Sequence, residues 1–165
     1  MLLQGKKIIL GITAGVALYK MCDFIRRLRK EGAEVRVVLT ENAAKLVSPQ
    51  LFHAVSGIPP AIFLFQGIPD QDSVAKAADP VRNDRDGVVA LRQAQGDRKA
   101  VQGDRFVAFP HLDLLRGADF FLVAPATANI LGKAAGGIAD DLLSTALLAA
   151  HGIPVFFAPA MNTRM

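Results

Sequence analysis

Lys7-Ile-Ile-Leu-Gly-Ile-Thr-Ala-Gly15 is the stretch that decides the fold. Its first six residues form a short run with β-branched Ile, entered from two lysines and left through glycines. The run reads as a buried strand that empties into a glycine loop. Downstream, Leu18, Met21, Ile25 and Leu28 recur at helical spacing across residues 16–31. Arg26, Arg27, Arg29 and Lys30 load the last turns, where cations complement the helix dipole, and Gly32 supplies the stop. Glu34 to Thr40, with Val at 35, 37 and 38, reads as a second strand. The opening is therefore a βαβ unit with parallel strands.

Working outward, Ser48 and Pro49 predict the N-cap and first turn of a short helix that ends at Gly57. Another helix is expected near His111, after Pro110. Phe120 to Ala124 is a continuous apolar run ended by Pro125, which suits a fully buried central strand. Residues 140–150 are helical by composition, and Val155 to Ala158 reads as a last strand closed by Pro159.

The 165 residues, 52% of them apolar, suffice for one compact domain with a sizeable core. Nineteen Lys and Arg against 15 acids give a formal charge of +4, with no long basic run and no aromatic interleaving. That balance serves solubility and argues against nucleic-acid binding. One cysteine cannot form an internal disulfide, and residues 1–12 lack the apolar segment and cleavage site of a secretory signal, so a reducing cytoplasm is expected. No segment reaches membrane-spanning length. No Cys/His spacing suggests a zinc site, so no metal is expected.

Residues 70–105 differ in character. Seven acids and seven bases occupy these 36 positions without an aromatic, and Gln-Gly-Asp-Arg occurs twice, at 95–98 and 102–105. Such a segment buries too little apolar surface to offset its ordering entropy, which predicts a mobile surface insertion within the domain.

In an open parallel sheet, ligands sit outside the carboxyl ends of the strands, where loops and helix N-termini converge. Three loops are expected there: Gly11-Ile-Thr-Ala-Gly15, Ala124-Pro-Ala-Thr-Ala-Asn129 and Ala158-Pro-Ala-Met-Asn162. The first joins two glycines, a hydroxyl and a helix start, a combination that lets backbone N–H groups approach a phosphate, although it also fits a plain structural turn. It is neither G-x-G-x-x-G nor a P-loop, which lowers the case for a nicotinamide or a nucleoside triphosphate. Thr127 and Asn129 bring polar groups to the mouth of a buried strand, as ligand contacts or as helix caps. Asn162 either binds a ligand or ties down a turn, and Met161 and Met165 beside it suggest a partly apolar ligand surface. His111, at a helix start after Pro110, is the histidine best placed to exchange protons. His53 and His151 read as structural, and Cys22 as a packing residue.

Taken together, Gly11-Ile-Thr-Ala-Gly-Val-Ala-Leu-Tyr-Lys20, His111-Leu-Asp-Leu114, Ala124-Pro-Ala-Thr-Ala-Asn129, Gly137-Ile-Ala-Asp-Asp-Leu-Leu143 and Pro159-Ala-Met-Asn-Thr-Arg-Met165 resemble the homo-oligomeric flavin-containing cysteine decarboxylase family. The match covers the chain apart from the insertion, and the Pro-Ala-Met-Asn-x-x-Met signature with the upstream histidine is its most specific part. The resemblance implies an α/β fold, a Rossmann-like flavodoxin-type three-layer α/β/α sandwich on a parallel sheet. It implies trimers or dodecamers that hold FMN between neighbouring subunits. Thr13, Gly15, Val16 and Ala17 would line the first flavin loop, Thr40 and Asn42 the second, and Thr127, Ala128, Asn129, Ile130 and Ala160 the rest. His111 matches the family's active-site histidine, and Asn162, with Met161 beside it, the asparagine that binds the substrate.

The activity so implied is FMN-dependent oxidative decarboxylation of 4′-phosphopantothenoylcysteine to 4′-phosphopantetheine in coenzyme A biosynthesis. A cysteine carboxylate has no electron sink until oxidation at the sulfur-bearing carbon makes one. The family's closing helix and flap cysteine follow the signature and are not found before Met165, so a truncated single flavoprotein domain is expected. Three alternatives remain: a flavin prenyltransferase of the same fold, a peptide-cysteine decarboxylase, and a flavin-binding homologue without full activity.

Overall fold

β1 (Lys7–Ile12) lies at the interior of the sheet, and that position explains its composition. It pairs in parallel with β2 (Glu34–Leu39) on one side and β3 (Phe120–Ala126) on the other. Ile8, Leu10 and Ile12 point to one face and Ile9 to the opposite one, all fully buried. A strand covered on both faces needs apolar residues at successive positions rather than alternate ones. β4 (Val155–Pro159) completes a four-stranded parallel sheet in the order β2-β1-β3-β4. The computed structural model describes residues 2–64, 110–162 and 164, the side chains of residues 110, 111 and 113 excepted. The predicted insertion at 70–105 lies outside the described residues.

On one face, α1 (Met21–Lys30) and α3 (Pro49–Ser56) supply Ile25, Phe52 and Val55 to a core with Leu10, Val35 and Val37. On the other, α5 (Ala128–Gly136) and α6 (Leu142–Ala149) pack Ile130, Leu142, Leu143 and Ala146 against Ile9, Phe121 and Val123. α4 (Pro110–Leu115) brings Leu115 to the same side. Helix layers on both faces of a parallel sheet give the expected three-layer α/β/α sandwich.

Three expectations need correction. The helix read over residues 16–31 begins with a 3-10 turn at Val16–Lys20 and becomes α-helical only at Met21. The residues just after Gly15 are held by the loop, with Leu18 N–H bonded to Gly15 O. β3 does not stop at Pro125 but runs through it to Ala126, where a register shift against β4 between Val123 and Ala126 accommodates a residue without an N–H. Thr40 leaves β2 to cap a short helix, α2 (Glu41–Leu46), which the strand pattern hid. Its hydroxyl accepts the Ala43 N–H at 3.2 Å.

Candidate functional site

The strand order fixes where the loops meet. The chain winds from β1 to β2 in one direction and continues with β3 on the other side of β1, so the crevice lies between the carboxyl ends of β1 and β3. Thr13 and Thr127 follow those two ends. The Thr13 hydroxyl donates to Pro125 O at 2.6 Å and accepts the Thr127 N–H at 3.2 Å. Ala160 N–H donates to Ala126 O at 3.0 Å. The three loops expected at this edge therefore form one continuous rim.

Two clefts open on the rim, on either side of the first loop. The larger, about 640 Å³, is lined by Thr13, Ala14, Thr40, Asn42, Thr127, Ala128, Asn129 and Ile130, with Glu41, Lys133 and Asp141. The volume is that of a small-molecule site. Its polar groups are only partly used. Thr127 stands at the N-cap of α5, yet its side chain makes no cap bond, so the capping reading fails for it. The first helical bond is Leu131 N–H to Thr127 O, which leaves the N–H groups of Ala128, Asn129 and Ile130 without intrahelical acceptors. The Asn129 amide has no partner among the described residues. These groups suit a ligand with carbonyl, ring-nitrogen or phosphate acceptors.

The smaller cleft, about 420 Å³, is lined by Val16, Ala17, Tyr19, Lys20, Ala160, Met161 and Asn162. Its walls are apolar and unusually open, with Val16 94% and Met161 43% exposed. The Asn162 Oδ1 accepts the Arg164 N–H at 3.0 Å. The turn-forming reading of Asn162 thus holds for its oxygen, while the amide N–H groups stay available to an acceptor such as a carboxylate. Gly15 sits between the clefts, and a Cβ there would lie 3.3 Å from Pro125 Cγ and 3.5 Å from Thr127 Cγ2.

Sequence reasoning missed the charged corner of the larger cleft. Lys133 on α5 reaches Asp140 at 2.6 Å and Asp141 at 2.7 Å. Asp141 also caps α6, accepting the Ser144 N–H at 2.8 Å in a reciprocal capping box. Burial pushes the Asp141 carboxyl up, but the Lys133 ammonium and the Ser144 bonds outweigh it and hold the group below the usual carboxylate range. The Asp140 and Asp141 hydrogen bonds push Lys133 up, and Lys133 holds Asp140 down. Asp141-Leu-Leu-Ser144 was a legible capping signal. The lysine seven and eight positions upstream was not.

His111 lies in the first turn of α4, and its side chain lies outside the described residues. His53 and His151 are exposed and line neither cleft. Cys22 packs against the core below α1, where burial pushes its thiol up. Among the described residues no group of His, Cys, Asp or Glu could hold a metal ion, and no helix is long and apolar enough to cross a membrane.

Comparison with known proteins agrees with this architecture. A family profile described as Flavoprotein matches residues 2–165. The chain is similar to the coenzyme A biosynthesis bifunctional protein CoaBC of Escherichia coli strain K12, with 36% identity over all of this chain and 32% of that protein. The Haemophilus influenzae protein of the same name is 38% identical over the same shares. The chain thus spans about a third of the length of these curated relatives. Among solved structures, the FMN-dependent cysteine decarboxylase SpaF superposes with a TM-score of 0.68 at 26% identity, over 98% of this chain and 72% of that one. A PPC decarboxylase mutant complexed with pantothenoylaminoethenethiol gives 0.59 at 25% identity, over 96% and 68%. The resemblance read from the loop motifs and the flavodoxin-type fold are both borne out.

Proposed function

This chain belongs to the Flavoprotein family, and from that premise we propose that it binds FMN across the β1/β3 crevice and decarboxylates 4′-phosphopantothenoylcysteine in coenzyme A biosynthesis. The observation that carries the reading is the joining of the three loops into one rim beside a cleft whose amide groups lack acceptors among the described residues. Thr127, Asn129 and the amides that open α5 would hold the cofactor, with Thr40 and Asn42 across the cleft. The relatives' roles, as coenzyme A biosynthesis proteins and a PPC decarboxylase, indicate the substrate.

Bound FMN would supply the hydride acceptor that makes a thiocarbonyl at the sulfur-bearing carbon, the electron sink that a cysteine carboxylate lacks. The residues of this chain handle charge and protons. The Asn162 amide N–H groups would hold the substrate carboxylate, and their direction is already set by the bond from Arg164 N–H to Oδ1. Met161 would cover the apolar side of the substrate. His111 would take the thiol proton as the hydride leaves the adjacent carbon. The open apolar surface of Val16, Tyr19 and Met161 would seat a second copy of this chain, so that a homo-oligomer, a trimer or a dodecamer, closes the smaller cleft. With its lone cysteine the chain suits the reducing cytoplasm.

The test is direct. Purified protein supplemented with FMN should retain a flavin absorbance band after desalting and should release carbon dioxide from 4′-phosphopantothenoylcysteine, with the product identified by mass. Absence of a flavin band removes the cofactor reading. A flavin band with turnover of a C-terminal cysteine peptide, and none of the phosphorylated substrate, transfers the activity to peptides.

A further inference from the structure

Thr13 was read from the sequence as part of a flavin-lining loop, yet its hydroxyl is committed within the protein. The residue is 3% exposed, donates to Pro125 O at 2.6 Å and accepts the Thr127 N–H at 3.2 Å. A hydroxyl has a single proton to donate, and Pro125 takes it. No donor function is left for a phosphate or a flavin carbonyl. The two partners are the carbonyl of the penultimate residue of β3 and the amide that precedes α5, across the crevice from β1 and 112 and 114 residues away in sequence. At Gly15 the same loop runs so close to β3 that an added Cβ would meet Pro125 and Thr127.

We propose that Thr13 is a positioning residue: its hydroxyl staples β1 to β3 at the switch point and fixes the direction in which the opening amides of α5 face the larger cleft, without touching the cofactor. Its link to flavin affinity rests on the FMN reading above; its link to the direction of α5 does not. The Thr127 N–H has no other partner among the described residues, so losing the hydroxyl leaves it to find water or move. A displaced helix start misaims every amide that follows it.

The experiment pairs FMN titration with amide hydrogen exchange measured by NMR on flavin-free protein, for the wild type, Thr13→Val and Thr13→Ser. Thr13→Val keeps the shape and removes both bonds. It should raise the FMN dissociation constant about tenfold, the loss of roughly one hydrogen bond's worth of alignment. The Thr127 amide should exchange at least about tenfold faster, with amide shifts confined to residues 126–130 while β2 and α1 stay unchanged. Thr13→Ser should restore both readouts. If Thr13→Val does not fold, Thr13→Ala against Thr13→Ser carries the same comparison. Wild-type exchange and unshifted 127–130 amides in the variant overturn the proposal, and weakened FMN binding with those amides unshifted overturns it in favour of direct contact. If the wild type binds no FMN, the exchange measurement still decides what Thr13 positions.

Discussion

The two ends of the same parallel strands are finished in opposite ways. At the amino ends, the polar groups answer one another. Asp119 accepts the Lys6 ammonium at 2.7 Å and the Lys7 N–H at 2.8 Å, and returns its own N–H to Lys7 O. Arg36 spans Glu34 and the carbonyls of Leu114 and Arg116. At the carboxyl ends, the Thr13 staple and the Ala160 N–H to Ala126 O bond hold the loops together, while among the described residues the amides of α5 and the side chains of Thr127, Asn129 and Asn162 keep unused hydrogen-bonding capacity. The difference separates stability from function: the closed edge ties the chain together, and the open edge offers groups that a ligand must complete.

Substitutions can break that comparison, and the largest effect is expected at the proposed proton-transfer residue. His111→Ala should lower decarboxylation about 1000-fold while the flavin band persists, as expected for loss of a proton-transfer group. Unchanged turnover removes His111 from the reaction. Next comes the core beneath the rim. Leu143→Ala, in a side chain fully buried against Gly11 and Phe121, should cost about 3 kcal/mol in urea unfolding. Gly11→Ala should cost about 1 kcal/mol, because its Cβ would clash with Leu143 Cδ1. Most of that second cost should vanish in the double variant, since Leu143→Ala vacates the space. Additive losses would show that the contact between β1 and α6 is not the cause.

The smaller effects lie in the acid limb of the stability profile. Asp141 is held below the usual carboxylate range in the folded state, so the unfolded chain binds more protons in acid. Its contribution is present above about pH 4 and is lost as the pH falls through the lowered value. Asp141→Asn should flatten that limb by about 0.5 kcal/mol after allowance for solvent screening, and should weaken FMN binding because the Lys133–Asp141 ion pair at the cleft is lost while only Lys133–Asp140 remains. Asp119, held down by the Lys6 ammonium and then by the Lys7 N–H, has the same sign. Asp119→Asn should flatten the acid limb slightly and leave the FMN dissociation constant unchanged. A change in flavin affinity there would erase the division between the two edges.

Much of this was legible where the signal was local. Ile8 to Ile12 announced an interior strand, and Pro49 and Gly57 bounded α3 as read, with Gly57 in the left-handed conformation that favours glycine. Misreadings came where a short element competed with a stronger neighbouring pattern. The β-branched run of β2 hid the Thr40 cap of α2, and Pro125 ended a strand on paper that a register shift carries onward.

By itself, the sequence determined the parallel sheet and the three loops that meet along one edge of it, because periodicity, caps and breakers act over a few residues. Only the tertiary structure decided which of those residues are free to bind. The Thr13 hydroxyl is spent on partners more than 110 positions away, Lys133 is taken by two carboxylates, and the Asn162 oxygen is used while its N–H groups are not. Whether a polar group is satisfied depends on neighbours in space, and no spacing along the chain encodes that.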